Sequence, residues 1–473
     1  MKKVVIIGGG IAGLSAALSL KEHSVLKNIP FDITLIEKSQ RLGGNIITQK
    51  TDGFLVEGGP DCFLSEKPWA MELCKRLGLG ASLLPTNDEK RHTFVYTNGR
   101  LLEIPEGFIL MVPTRIIPFL LSPLISLAGK IRMGLELFIP RKKDDSEETL
   151  GSFVRRRLGH EALDKIAEPL IAGVHAGDPE TMSVNASFPK FVEMEKEHGS
   201  LIRAMLKRMK KTKTMHKATS DGTHRITMFM TLEHGLGELI DAIVKNLDGV
   251  DIRTGQTVST IIKKGEVFEI SLEGKEIINC DSLIIATPAH IGAVLLNDID
   301  KGLCQKLAAI PYVSTATVSL AYWKKDMPHP PNGFGFVIPR TEGRNIMAGT
   351  WSSVKFKGRA PEDSLLIRCF VGGAKNEGLV SLPDDAIEKM VKAELKDIMG
   401  IEAEPRFVKI FRWKKSMPQY TLGHEQRVAA IEERLELHPG LYLTGSAYRG
   451  IGISDCIRLG EIAAKRILRQ SEG

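Results

Sequence analysis

An α/β fold, α+β overall, follows from three features of the 473-residue chain. The N-terminus reads as strand, glycine turn, helix and second strand. Buried strand-like runs of the same kind return near residues 250, 282 and 441. Between them lie a helical, proline-interrupted segment and a β-rich segment around 308–412. The implied organisation is a Rossmann-like domain of discontinuous segments, 1–90, 216–300 and 425–473, with a helical insertion at 91–215. A mixed-sheet substrate-binding domain covers 301–424, with parts of 91–100 and 170–230.

Taken in order, residues 4–20 (VVIIGGGIAGLSAALSL) have two incompatible readings. Behind Met1-Lys2-Lys3 they fit the apolar core of a secretory signal, and they also fit the first unit of a dinucleotide site. Gly8, Gly10 and Gly13 stand in G-x-G-x-x-G spacing after the apolar run Val4–Ile7. Gly8 permits the tight turn, Gly10 lets backbone approach a pyrophosphate, and Gly13 allows close packing of helix on strand. Free N–H groups at the helix start, around Gly9, Ile11 and Ala12, favour negative charge. The decision comes downstream. Phe31–Ile36 is a second strand that ends in Glu37, an acid placed to accept hydrogen bonds from both hydroxyls of an adenosine ribose. A signal peptide has no reason to carry that strand and acid.

The next stretch, EKSQRLGGNIITQKTDGFLVEGGPDCF, proceeds to a hairpin, Asn45–Gln49 and Phe54–Glu57, turned at Thr51-Asp52-Gly53, instead of another crossover helix. Glu37-x-x-x-Arg41-x-Gly43-Gly44 resembles the second signature of the FAD-binding amine oxidase superfamily. The resemblance implies that Arg41, with Lys38 beside it, lies near the phosphates and that Gly43 and Gly44 admit the flavin side of FAD. Gly58, Gly59, Pro60 and Asp61 would bring backbone under the isoalloxazine ring. It also implies that the domain returns to the cofactor: Val258, after the strand-like Val250–Arg253, would face adenine, and Ser282–Pro288 would be another buried strand. Leu441–Gly445 is a short strand and turn, and Gly450–Asp455 opens a closing helix that runs to about Leu468. Aimed at the flavin, the N-terminus of that helix, with Ile451, Gly452 and Ile453, would stabilise negative charge on reduction.

The closing stretch GSAYRGIGISDCIRLG is similar to the C-terminal signature of the oxygen-dependent protoporphyrinogen oxidase and coproporphyrinogen III oxidase family, notably the soluble Gram-positive type. Glu168–Asp178, Phe188-Pro189, Arg412-Trp413, Pro418-Gln419-Tyr420 and Gly423-His424 also look like motifs of that family, so the resemblance covers essentially the whole chain. Trp413 is taken with the cofactor residues. Amine oxidases usually carry an acid after the last Thr-Gly, and some carry a cysteine bonded to the flavin. Here Ser446 follows Gly445, and Cys456 falls inside the helix, so the FAD is expected to be non-covalent and Cys456 a packed thiol.

What the family implies is oxidation of a porphyrinogen to the porphyrin. Six electrons leave in three flavin cycles, each passing two to O₂ and giving hydrogen peroxide. No catalytic side-chain pair is identifiable, since the pyrrole nitrogens can lose the proton themselves. The substrate's carboxylate arms call for cations, and Lys67, just past the flavin-facing turn, is a candidate. Gly173 would leave room for the macrocycle. In eukaryotic relatives an arginine anchors a propionate near the strand equivalent to Phe94–Tyr96, whereas Arg91 and His92 here do not align with it. The basic tract with Arg203, Lys207, Arg208, Lys210, Lys211 and Lys213 leans the choice toward the four-carboxylate coproporphyrinogen III over protoporphyrinogen IX.

Composition sets the remaining bounds. The chain is 43% hydrophobic and 26% charged, with 64 basic against 57 acidic residues and a net charge of +7. That mild excess suits an anionic ligand or membrane surface, and no compact motif accompanies it that would argue for nucleic acid. Six scattered cysteines without CxxC spacing argue against zinc and a disulfide framework, and for a reducing, cytoplasmic setting. No metal is expected. The apolar run Ile116–Ala128 is broken by Pro118 and Pro123 and is too short to span a bilayer, so at most a peripheral membrane contact is expected. A transient contact with a downstream ferrochelatase is a further expectation from the family. Two other readings remain open on the same scaffold: an amine- or carotenoid-type oxidase, and a non-catalytic flavin protein that carries porphyrin.

Overall fold

The computed structural model describes residues 1–109, 112–113, 115–144, 146–207 and 226–472. The chain divides into two compact units: Met1–Pro85, Ile226–Pro311 and Glu425–Gly473 form the first, and Thr86–Arg225 with Tyr312–His424 the second.

The first unit is built on a five-stranded parallel sheet. Its strands are Asp251–Thr254, Phe31–Glu37, Lys2–Ile7, Ser282–Ile285 and Leu441–Leu443, in that spatial order. Val4, Ile6, Leu35, Leu283 and Ile284 have no measurable exposure, as continuous apolar runs in a sheet covered on both faces require. Chain order reverses between Lys2–Ile7 and Ser282–Ile285, which puts the switch point of the sheet at the carboxyl end of the first strand. Helix Ile11–Lys27 follows at once and is crossed by the closing helix Ile453–Glu472. Small residues allow that crossing. A Cβ on Gly460 would stand 2.3 Å from the Ala12 carbonyl oxygen.

The expected hairpin forms as Thr48–Thr51 and Phe54–Glu57, its first strand lying closer to the turn than the expected Asn45–Gln49. Asp52 (φ 49°) and Gly53 (φ 80°) both lie in the left-handed region, the two-residue turn that matches strand twist. The hairpin supports helix Gly237–Lys245. Thr48 Oγ1 accepts from the Gly237 N–H at 2.8 Å, and the buried Glu57 accepts from the Leu236 N–H at 2.8 Å and from Thr48 at 2.7 Å. A carboxylate at that helix start is favourably placed in the dipole.

The second unit contains a seven-stranded mixed sheet, ordered Phe407–Pro418, Tyr312–Trp323, Ser364–Gly372, Ile346–Trp351, Gly335–Val337, Thr93–Thr97 and Arg100–Glu103. Only Gly335–Val337 and Thr93–Thr97 pair in parallel. Thr93–Thr97 and Arg100–Glu103 complete the sheet, helix Glu168–His175 packs on it, and the limits of the unit in the chain fall at 85/86, 225/226, 311/312 and 424/425.

The helical part of this unit holds a buried charge network. Arg157 and Glu136, both without exposed side-chain surface, form an ion pair, and Arg157 also faces Glu195 at 3.4 Å. Glu136 further accepts from Ser200 Oγ at 2.5 Å and the Leu201 N–H at 2.8 Å, so its lone pairs are well used. Of the basic tract, Arg208, Lys210, Lys211 and Lys213 lie outside the described residues.

Candidate cofactor site

The glycine loop sits at the carboxyl edge of the parallel sheet and is fixed from several sides. The Gly8 N–H donates to Ile36 O at 2.8 Å, and Ala286 N–H to Ile7 O at 2.8 Å. Gly8 is at φ 111°, and a Cβ there would meet the Ala286 carbonyl group at 2.9 Å. Gly13 is the tightest position: its Cβ would stand 2.0 Å from Gly8 O. Gly10 differs, since a Cβ there would find nothing nearer than the Gly44 Cα at 3.9 Å. The three glycines thus serve turn, open approach and close packing respectively.

Helix Ile11–Lys27 begins with Gly10 as its N-cap, without a side-chain cap and without an acid in its first turn. Among the described residues no hydrogen bond engages the N–H groups of Ile11, Ala12 and Gly13. A buried helix start left this way is suited to a diphosphate. Glu37 closes the other side. One carboxylate oxygen accepts from the Gly9 N–H at 2.7 Å and the other from the Ser39 N–H at 2.8 Å. Each oxygen keeps lone-pair capacity for a hydroxyl. The segment toward Val258 is pinned beside this acid, with the Gln256 N–H on Glu37 O (3.1 Å) and the Gly255 N–H on Ser39 O (2.9 Å). Val258 itself is buried where the strand Val258–Lys264 begins.

Gly43 and Gly44 lie against the loop: the Gly43 N–H donates to Gly9 O at 2.8 Å, and a Cβ on Gly44 would be 3.1 Å from the Gly10 Cα. Arg41 spends its guanidinium on the same turn, donating to the carbonyls of Leu42 and Ile46 at 3.2 Å and to that of Gly44. These bonds brace the Gly43-Gly44 turn, and the neighbouring Lys38 is exposed. After the hairpin, the Gly58 N–H bonds Ile47 O at 2.8 Å and Gly59, Pro60 and Asp61 follow half-buried.

The return segment meets the same sheet edge. The Thr444 N–H donates to Ile285 O at 3.0 Å, and beside Gly445 (φ 122°) a Cβ would find no heavy atom within 4 Å. Ile451 and Gly452 lead into the helix, which starts at Ile453 and runs to Glu472, four residues beyond the expected end. Asp455, in the first turn and 4% exposed, receives Lys67 Nζ at 2.5 Å, and Ser454 Oγ donates to Lys67 O at 3.1 Å. Lys67, the candidate for a carboxylate arm, is thus an ammonium paired with Asp455. Burial pushes the Cys456 thiol up to about 12, with Asp455 adding to the rise and Lys67 opposing it, so it is protonated at neutral pH. None of the six cysteines forms a disulfide.

Two expected site residues belong to the second unit. Trp413 is half-buried in the strand Phe407–Pro418, opposite Thr315. At Gly173 a Cβ would point at Val337 Cγ1 (3.4 Å) and Ala348 Cβ (3.5 Å), toward the sheet. The adjacent Val174 is the exposed one, at 67%. Among the described residues no group of acidic, histidine or cysteine side chains could hold a metal, and no helix is long and apolar enough to cross a membrane.

Comparison with known proteins agrees with this geometry. The family model for flavin containing amine oxidoreductase matches residues 11–468. The chain belongs to the flavin-containing amine oxidoreductase family. Within it, the chain is 36% identical over 468 residues to coproporphyrinogen III oxidase of Bacillus subtilis (strain 168), covering 99% of this chain and 98% of that one. It is 34% identical to the Staphylococcus aureus protein of the same name, with 99% of each covered. Protoporphyrinogen oxidase 1 of Arabidopsis thaliana chloroplasts is 29% identical over 96% of this chain and 85% of its own length. A crystal structure from Exiguobacterium sp. 255-15 superposes with a TM-score of 0.87 at 31% identity, covering 99% of both chains. An oxidoreductase of this family works through a flavin, and the glycine cradle, the uncapped helix start and Glu37 fit such a group.

Proposed function

We propose that the protein binds FAD without a covalent link and uses it to oxidise coproporphyrinogen III to coproporphyrin III, with O₂ as acceptor. The observation that carries this reading is full-length similarity, at 34–36% identity, to two relatives named for that reaction. The closing motif with Asp455 and Cys456 is consistent with it, because a buried protonated thiol is no partner for a covalent flavin bond.

Bound FAD would take a hydride equivalent from a bridging methylene. The chain's own part is to hold and orient. Gly8–Gly13 and the helix start would take the diphosphate, Glu37 the ribose, and the Val258 segment the adenine side. Gly58–Asp61 and Gly445–Ile453 would support the ring, where the helix N-terminus favours negative charge on reduction. Three such cycles remove six hydrogens and yield three H₂O₂ per porphyrin. No side-chain base is required, since the pyrrole N–H groups are acidic once the methylene is oxidised.

A peripheral membrane contact is part of the same proposal. Ile116, Ile117, Leu121, Leu127 and Phe138 are 69–79% exposed on one stretch of the second unit, with Arg115 and Lys130 among them. Such a face suits the boundary of an anionic bilayer.

The test is aerobic turnover with purified FAD-loaded protein, following porphyrin fluorescence and peroxide together. Three peroxides per coproporphyrin are expected. Porphyrin formed only at the rate of spontaneous oxidation would overturn the proposal.

A further inference from the structure

Lys67, just past the expected flavin-facing turn, and Asp455, in the closing helix, are 388 residues apart in sequence and form an ion pair. Three features make this more than a surface ion pair. Asp455 is buried, its side chain 5% exposed, while that of Lys67 is 43% exposed. The carboxylate is tucked into the loop before the helix, where a Cβ on Gly450 would lie 2.4 Å from Asp455 Cγ and one on Gly452 3.5 Å from Oδ2. The residue before it, Ser454, holds the Lys67 carbonyl, so backbone and ammonium of Lys67 are docked on consecutive residues.

We propose that Asp455 is a positioning residue that fixes the Lys67 ammonium as a preset contact for one carboxylate arm of the substrate, a reading that rests on the porphyrinogen assignment above. An ammonium has three N–H donors and Asp455 takes one, which leaves capacity on the half-exposed side. A free lysine loses most of its rotamer freedom on meeting a carboxylate in water, so the contact gains little. Held in advance by a buried partner, the same ammonium has already met that cost during folding, and its contact with the arm keeps more of the strength of a charge-assisted hydrogen bond. Asp455 also lies in the first turn of a 20-residue helix, where the dipole favours a carboxylate.

The experiment is a double-mutant cycle on coproporphyrin III binding to the FAD-loaded protein, read by porphyrin fluorescence under conditions without turnover. Lys67→Gln should weaken binding about tenfold, the scale of one charge-assisted bond. Asp455→Asn should weaken it by about fivefold when Lys67 is present and leave it unchanged when combined with Lys67→Gln, because it acts through the ammonium. The flavin spectrum should be retained in both. Wild-type affinity in Lys67→Gln, or an Asp455→Asn effect of equal size with and without the lysine, overturns the proposal. If Asp455→Asn yields no soluble protein, Asp455→Glu decides with Lys67→Gln: it should keep binding within about twofold of wild type, and a loss matching Lys67→Gln overturns it. Failure of the oxidase assignment would appear separately, as no porphyrin formation by the unaltered protein.

Discussion

Substituting Gly13 by alanine separates the two uses of a helical glycine. Propensity alone predicts a gain of about 1 kcal/mol, since alanine is the better helix former. The structure predicts the opposite sign. The new Cβ would stand 2.0 Å from Gly8 O, a backbone atom that cannot rotate aside. Relief requires the Gly8 peptide to move by about 1 Å or more, and overpacking of this kind costs about 1–3 kcal/mol. With the upper end applying to a backbone clash, the net effect is a loss of about 2 kcal/mol. Gly8 also anchors the turn on Ile36 O, so the helix-start donors shift with it, and FAD affinity should fall at least about tenfold. Gly134→Ala is the control. Gly134 ends helix Leu127–Gly134 at φ −64°, with no atom within 4 Å of an added Cβ, and should gain about 0.5 kcal/mol. Urea unfolding and flavin titration measure both. A Gly13→Ala protein as stable as wild type that binds FAD unchanged would show that the contact with Gly8 O does not constrain this helix start.

Three further outcomes follow from buried groups. Glu136→Gln leaves Arg157 fully buried without its main counter-charge and should cost about 3 kcal/mol, visible as a lower urea midpoint. Burial alone would raise Asp300, but Arg434, the Leu303 N–H and His438 outweigh it and hold the carboxyl well below the usual range. The stability it contributes is therefore present above its unfolded pKa of about 4 and is lost as pH falls below that. The gap between wild type and Asp300→Asn should be widest near neutrality and close in acid, and a gap that widens in acid would contradict the assignment. Cys456, pushed up to about 12, should escape iodoacetamide in the native protein and react on unfolding, as read by peptide mass.

Much of the first unit was legible because its signals are local. Gly8, Gly10 and Gly13 specify a turn by spacing, Glu37 ends a strand at a fixed offset, and the apolar runs 4–7 and 282–285 announce strands buried on both faces. The missing parts depend on contacts between distant residues. Nothing in the sequence around Thr93–Thr97 says that it pairs with Gly335–Val337, a partner about 240 residues away that only the fold supplies. The charge of Arg41 is visible in the sequence, whereas the three carbonyls its guanidinium meets in its own turn are set by the fold. Asp455 was visible within the closing motif, yet only the fold brings Lys67 to it. The direction of a missing side chain cannot be read from composition either: that a Cβ on Gly173 would point at Val337 and Ala348 is set by the fold.

The central claim is that this flavoprotein takes electrons from a porphyrinogen. Anaerobic mixing of the FAD-loaded protein with coproporphyrinogen III, and separately with protoporphyrinogen IX, tests it directly through the visible flavin absorbance. Bleaching with both, faster with coproporphyrinogen III, is the predicted result, and readmitted O₂ should restore the colour. Flavin that keeps its absorbance with either compound would contradict the account.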